Sequence, residues 1–198
     1  MKKITFLLAA TLGLVSFAAQ AQATGTTTPT DPAPVVDKKT AQATVNVRLH
    51  PIQTIMVNSG QTVNLDYKTE LDYAKGVNTT QADHLTVYST GAFAVTVQSD
   101  NEKLTSSDSR VKSDINASDI WVTASKGSNT IAEAKFEDPV SLSKSAKPLF
   151  SSSVGGVHKN FNVNYKAMGD ADKYVNKYFS VQDPTVYSTT VTYSIVAK

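Results

Sequence analysis

Few residues of this 198-residue chain stand at the spacings that catalysis requires. The chain contains no cysteine, which excludes a thiolate nucleophile, a disulfide and a zinc ion held by cysteines. Its many serines lie in no GxSxG or SxxK motif, and no glycine-rich loop could hold a phosphate group. The spacing does not address a Ser-His-Asp triad or a pair of catalytic carboxylates brought together from distant strands. The sequence therefore predicts no catalytic residue, no cofactor and no enzymatic activity.

Patterns of metal ligands are equally sparse. Asp114, Asn116 and Ser118 alternate as at the start of a calcium loop, but position six of that loop is Asp119 instead of glycine and position twelve is Ser125 instead of glutamate. We therefore expect ordinary solvated loops here and no metal site. The histidines are far apart and form no HxH or HxxxH pair, so we interpret them as surface or loop residues. They are His50, His84 and His158.

Trp121 is the only tryptophan and the residue whose type most suggests a ligand. In a strand, Ile120 and Val122 point away from Trp121, so one of these two faces should be exposed unless both faces are covered. An exposed indole could stack on a sugar ring, whereas a buried one would simply pack in the core. Trp121 is therefore the candidate for glycan stacking in a carbohydrate- or peptidoglycan-binding module.

The composition favours β-strands as the elements that position these residues. The chain has 24 threonines, 20 serines and 22 valines, and only 18% of its residues are charged. Branched side chains fit a pleated sheet and lose rotamer freedom in a helix. Helical bundles and coiled coils, which are rich in Leu, Ala, Glu and Lys, are therefore not expected.

The first 23 residues have the pattern of a cleaved secretory signal peptide. Lys2 and Lys3 form a positive start, residues 4–19 are mostly apolar, and residues 21–23 supply a small-x-small cleavage site. The apolar run is shorter than the ~20 residues that a membrane-spanning helix needs. We therefore expect a secreted bacterial protein without an integral membrane anchor, located in the periplasm, on the outer surface or outside the cell.

Removal of residues 1–23 also changes the charge. The full chain has 19 basic and 17 acidic residues, and the signal peptide contains two of the basic ones, so 19 − 2 = 17 basic residues remain. The mature chain then has a net charge of zero with neutral histidines. A nucleic-acid-binding protein needs a basic excess to displace counterions, so no nucleic-acid partner is expected.

The remaining sequence divides into a leader and one domain. Residues 24–39 are rich in threonine and proline and predict a flexible leader, and residues 40–198 predict a single domain. From residue 41 onward, apolar and polar residues alternate with the period of a strand that has one apolar face. The apolar positions are Ala41, Ala43, Val45, Val47 and Leu49.

Similar patterns predict about nine or ten strands and at most one short helix. The helix is expected within residues 68–76, and residues 85–88 and 93–98 flank a glycine-containing turn that predicts a hairpin. Turns at these intervals are typical of an antiparallel β-sandwich of the Ig-like or pilin-like kind, which makes the expected fold class all-β. Further strands are expected at residues 52–57, 63–67, 120–124, 131–136, 157–165, 174–181 and 185–198.

Three segments carry a resemblance at the level of strand pattern: ATVNVRLHPIQTIMV, HLTVYSTGAFAVTVQSD and YSTTVTYSIVAK. They resemble secreted, cysteine-free β-sandwich domains of bacterial cell surfaces, and are loosely similar to pilin-like and WxL-like surface domains. The WxL motif itself is absent, because the sequence after Trp121 is Val122-Thr123, and the cysteine pair of many pilins is absent as well.

The resemblance implies a structural or adhesive surface protein. In pilin-like proteins an N-terminal extension completes the sheet of the neighbouring subunit, and the alternation over residues 41–49 fits that role. The alternative is that this segment is simply the first strand of its own domain. We therefore expect a non-enzymatic cell-surface protein whose partner is itself or another surface protein, with glycan binding as the alternative function.

Overall fold

The computed structural model describes residues 39–58, 60–170 and 172–198. The predicted signal peptide, 1–23, and all but the last residue of the predicted leader, 24–39, lie outside the described residues. Residues 48–198 form one compact unit. Residues 39–47 belong to a separate unit and contain no helix or strand.

The described residues form an all-β fold with one α-helix, which confirms the predicted all-β class and the single short helix, and with eleven strands instead of the nine or ten predicted. Every pairing between strands is antiparallel. The helix is α1 (Glu70–Lys75). The strands are β1 (Gln53–Val57), β2 (Gly76–Ser89), β3 (Phe93–Ser99), β4 (Lys103–Thr105), β5 (Asp114–Asn116), β6 (Ile120–Lys126), β7 (Lys135–Phe136), β8 (Val140–Ser141), β9 (Lys147–Ser152), β10 (Gly156–Met168) and β11 (Val191–Ala197).

The strands form two main sheets and a small ribbon. Sheet A has the order β1-β2-β10-β6-β8 and is curled into a half-barrel. Sheet B has the order β11-β3-β9-β7, and β4 pairs only with β5 among the described strands. The two longest strands, β2 and β10, lie side by side in the middle of sheet A and position most of its other strands.

Side chains from both sheets meet in one apolar core. The rings of Phe150 in β9 and Phe161 in β10 have centroids 4.3 Å apart, which places sheet B directly against sheet A at this point. Along β3, buried Phe93, Val95 and Val97 alternate with half-buried residues, as a strand with one core-facing side requires. The strand predicted at residues 93–98 is therefore confirmed.

The predicted hairpin between residues 85–88 and 93–98 is wrong. Both segments are strands, but β2 pairs with β1 and β10 while β3 pairs with β11 and β9. The intervening turn carries the chain from sheet A to sheet B. Alternation and a short turn predict two strands, but they do not determine whether the strands pair or face each other across a core.

The predicted helix is confirmed, and its boundaries follow from local chemistry. The Thr69 hydroxyl accepts a hydrogen bond from the Asp72 backbone N–H, and the Asp72 carboxylate accepts one from the Thr69 N–H, which together form a capping box. The backbone N–H groups of Lys68 and Thr69 both donate to the Asp72 carboxylate, and these hydrogen bonds lower its pKa. Gly76 ends the helix at a φ of +80°, a conformation that favours glycine.

Two strands predicted within residues 48–198 do not form, and of the strand predicted at residues 131–136 only Lys135–Phe136 forms. Val63 and Leu65 alternate toward the core, but their segment runs over it without pairing. Residues 174–181 contain a short 3-10 turn, Val175–Lys177, instead of a strand. A side chain satisfies the backbone groups that strand pairing would otherwise satisfy here. The Thr185 hydroxyl accepts a hydrogen bond from the Phe179 N–H and donates one to the Phe179 carbonyl.

Candidate functional site: the N-terminal segment, the free sheet edges and the Trp121 cleft

The alternating N-terminal segment forms no strand in the described chain. Residues 39–52 have no regular secondary structure, and all of them are exposed. Val45, Val47 and Leu49 are 85%, 81% and 89% exposed. Ala41 and Ala43 are exposed as well. The predicted apolar face therefore exists as a pattern of side chains, but none of the described residues covers it.

Two sheet edges next to each other also lack a partner strand. Among the described residues, β1 pairs only with β2 and β11 pairs only with β3, so the outer edge of each strand has no ladder. Cα atoms of β1 and β11 approach within 8 Å of each other, which places both edges on one side of residues 48–198. Neither strand contains a charged residue or a proline. Natural edge strands commonly carry such residues because they prevent pairing with another chain.

The edge strand β1 also has exposed apolar side chains. Val57 lies two residues after Ile55, so the two side chains point to the same side of β1. The Ile55 side chain packs against the core, but Val57 is 38% exposed. Ile52 and Met56 are each about half exposed. Within residues 48–198, exposed apolar side chains are thus found at Leu49 and Ile52 and along β1 at Met56 and Val57.

Trp121 lies on the outer side of sheet A. Its neighbours Ile120 and Val122 are buried, so the core takes their face and leaves 36% of the tryptophan exposed. The indole lines a shallow cleft of about 330 Å³. The other wall is formed by the connection from β7 to β8, by β8 itself and by the start of β9. Its residues include Glu137, Asp138, Pro139, Ser141, Lys147 and Pro148.

The charges around this cleft are nearly balanced. Glu137 and Asp138 are exposed, and within the described part of the chain their carboxylates have no hydrogen-bond or salt-bridge partner. The Lys147 ammonium donates to the carbonyl and hydroxyl oxygens of Ser141 at 2.7 and 3.0 Å, which fixes it against the wall. Lys166 of β10 lies opposite Trp121 in the sheet register and is exposed. The cleft thus offers two uncommitted acceptor groups beside an aromatic face.

A buried ion pair replaces the solvated loop predicted around Asp119. Asp119 is buried, and its carboxylate accepts hydrogen bonds from the Lys173 ammonium at 2.6 Å and the Tyr174 hydroxyl at 3.0 Å. Burial and then the charge of Asp119 raise the pKa of Tyr67 to about 12 and raise that of Tyr174 as well. We interpret this cluster as structural, because it joins the start of β6 to the loop after β10.

His84 is buried, which corrects its interpretation as a surface or loop residue; His50 and His158 are exposed. The Nε2 atom of His84 lies 2.9 Å from the Tyr165 hydroxyl, which also hydrogen-bonds to the Tyr193 hydroxyl in β11. Burial raises the pKa of both tyrosines. His84 is buried because the register of β2 is irregular next to it. Asp83 adopts a φ of +48° there, and β2 contains extra residues relative to the facing part of β10.

Within residues 39–58, 60–170 and 172–198, no group of three or more His, Asp or Glu side chains could hold a metal ion. No described helix is long and apolar enough to cross a membrane.

No protein-family model matches the chain, and no curated protein matches it. The resemblance to pilin-like and WxL-like surface domains is therefore supported only by the strand pattern.

The sequence singled out Trp121 but not the side chains that share its cleft. Glu137 and Asp138 come 16 and 17 positions later and precede Pro139 in a stretch with no motif. They reach Trp121 because β8 pairs with β6, with Ser141 opposite Trp121. Such a short pairing of two residues leaves no periodic signal in the sequence.

Proposed function

We propose that this protein is a secreted, non-enzymatic structural or adhesive component of a bacterial cell surface, which associates with further copies of itself by strand addition. The observation that carries the proposal is the N-terminal segment, whose alternating apolar side chains are exposed and form no strand. Contiguous exposed apolar side chains typically mark a surface that another chain covers.

The free edges of β1 and β11 support the same proposal. An extended segment can add to such an edge, where main-chain hydrogen bonds supply affinity and alternate side chains fill the adjoining surface. The edge of β11 is the better acceptor, because it is seven residues long against five for β1. The donor in our proposal is residues 41–49 of one copy, and the acceptor is the edge of β11 in the next.

The finer fold assignment belongs to this proposal. We take the two sheets that share the core to be the layers of an antiparallel β-sandwich of Ig-like or pilin-like type. We likewise take residues 1–23 to be a signal peptide that directs the protein to the periplasm, the outer surface or the medium.

The proposal is tested by the mass in solution of two proteins, one spanning residues 24–198 and one beginning at Pro51. If residues 24–198 form oligomers or fibres while the shorter protein is folded and monomeric, strand addition is supported. If the longer protein is a monomer at all concentrations and the shorter one unfolds, residues 41–49 pair within their own domain and the proposal fails. Circular dichroism of the shorter protein distinguishes a folded monomer from an unfolded chain.

A further inference from the structure

We infer that the cleft beside Trp121 binds an uncharged oligosaccharide built of pyranose rings. This inference is independent of strand addition, because the cleft and the edges of β1 and β11 are formed by different strands. It lies where β8 ends sheet A and β7 ends sheet B, whereas β1 and β11 end these sheets on their other sides.

The exposed indole provides the apolar half of the site. A pyranose ring has one face of C–H groups and an equator of hydroxyls, so it needs a flat apolar surface with hydrogen-bonding groups around it. Trp121 offers such a surface, since about a third of it is exposed while Ile120 and Val122 anchor its strand in the core. A tryptophan face exposed in this way can stack without any rearrangement of the strand.

The two carboxylates provide the polar half. Glu137 and Asp138 have no hydrogen-bond or salt-bridge partner within the described residues, and a carboxylate can only accept hydrogen bonds. Sugar hydroxyls are donors that match this requirement. Hydrogen bonds to a charged group are stronger than those between neutral groups, so they can fix the orientation of a stacked ring.

The charges also determine the class of sugar. An acidic sugar would face the carboxylates of Glu137 and Asp138 across the cleft, and neither carboxylate forms a salt bridge within the described residues. A cationic ligand would meet Lys147 and the exposed Lys166 beside Trp121. With two carboxylates and two ammonium groups the surroundings are close to neutral, which favours an uncharged ligand. The volume of about 330 Å³ is at the lower end for ligand pockets and suits one or two rings of a longer chain.

Trp121 makes the test direct, because its fluorescence reports this site alone. The mature protein, residues 24–198, is titrated with the hexasaccharides of cellulose, starch, laminarin and chitin, and with a hexamer of galacturonic acid. We expect at least one neutral hexasaccharide to change the fluorescence saturably, and the acidic hexamer to bind at least about tenfold more weakly. Absence of any saturable change with the four neutral sugars, or tighter binding of the acidic one, overturns the inference.

Three variants of the site and one control variant distinguish binding at the cleft from non-specific contact. Glu137→Gln and Asp138→Asn keep the shape of exposed side chains and should each weaken binding about tenfold, because a charge-assisted hydrogen bond is lost. Trp121→Ala, measured by calorimetry, should abolish binding, whereas Tyr178→Ala removes an even more exposed aromatic ring elsewhere and should leave binding unchanged. Equal losses in the two aromatic variants, or none in the carboxylate variants, contradict the proposed site. Unchanged melting temperatures show that all variants are folded.

Discussion

A single charge placed on the apolar face of the N-terminal segment should disrupt association without disturbing the fold. Val47 is 81% exposed and forms no part of the core, so the Val47→Asp substitution should change the free energy of unfolding by less than ~0.5 kcal/mol. Strand addition, in contrast, would bury this side chain against the neighbouring copy. The substitution therefore separates assembly from stability.

The size of the effect follows from the exposed surface. Full burial of a valine side chain contributes about 1.5 kcal/mol or more, and all of that is lost in the variant. An aspartate in the same position would also lose part of its hydration, which adds to the penalty. A loss of at least about 1.5 kcal/mol corresponds to a dissociation constant raised at least about tenfold.

Sedimentation equilibrium of residues 24–198 measures this change. The matched control is Asn46→Asp, which introduces the same charge one residue earlier, on the opposite face of an extended segment. We expect Val47→Asp to weaken association and Asn46→Asp to leave it nearly unchanged. Equal effects of the two substitutions would show that the alternation is not what a partner recognises, and would refute the reasoning.

Three further predictions concern the fold. Phe150→Ala should lower the free energy of unfolding, measured in urea, by about 3–5 kcal/mol, because the Phe150 ring packs between the two sheets. The control, Val196→Ala on the exposed side of β11, should change it by less than ~1 kcal/mol. Similar values for the two variants would contradict a shared core. Asp119→Ala leaves Lys173 and Tyr174 without their acceptor and should lower the free energy of unfolding by about 2–3 kcal/mol, and an unchanged urea midpoint would refute the proposed role of this cluster. Four of the eight tyrosines have a raised pKa in the folded state, so the associated stability is complete below pH 10 and falls as the pH rises from 10 toward about 12. An absorbance titration should show these phenols ionising later than in the unfolded chain, and coincident curves would argue against their burial. They are Tyr67, Tyr165, Tyr174 and Tyr193.

The local sequence pattern was sufficient to predict those elements that depend only on residues close together in the chain. The alternation of Phe93, Val95 and Val97 predicted β3, and the placement of Leu71 and Ala74 on one side of a helix that Gly76 would end predicted α1. Both depend on neighbours a few residues away. Such information is contained in any short stretch of sequence.

Partners distant in the chain were not predictable in this way. His84 is buried because the chain gains residues near Asp83, and a shift of register is not a local preference of any residue there. The acidic side of the Trp121 cleft depends on a pairing of two residues, Val140–Ser141, with β6. The segment 41–49 shows the converse, since its period predicted a strand but could not indicate which chain would supply the neighbouring strand.

The central claim is that residues 41–49 are a strand whose partner is another copy, and amide hydrogen exchange of the mature protein at several concentrations tests it most directly. We predict fast exchange throughout residues 41–49 at low concentration. As the protein associates, slow exchange should appear there and in Val191–Ala197 together. Slow exchange of residues 41–49 in the dilute monomer, or fast exchange that persists in the associated form, would contradict the claim.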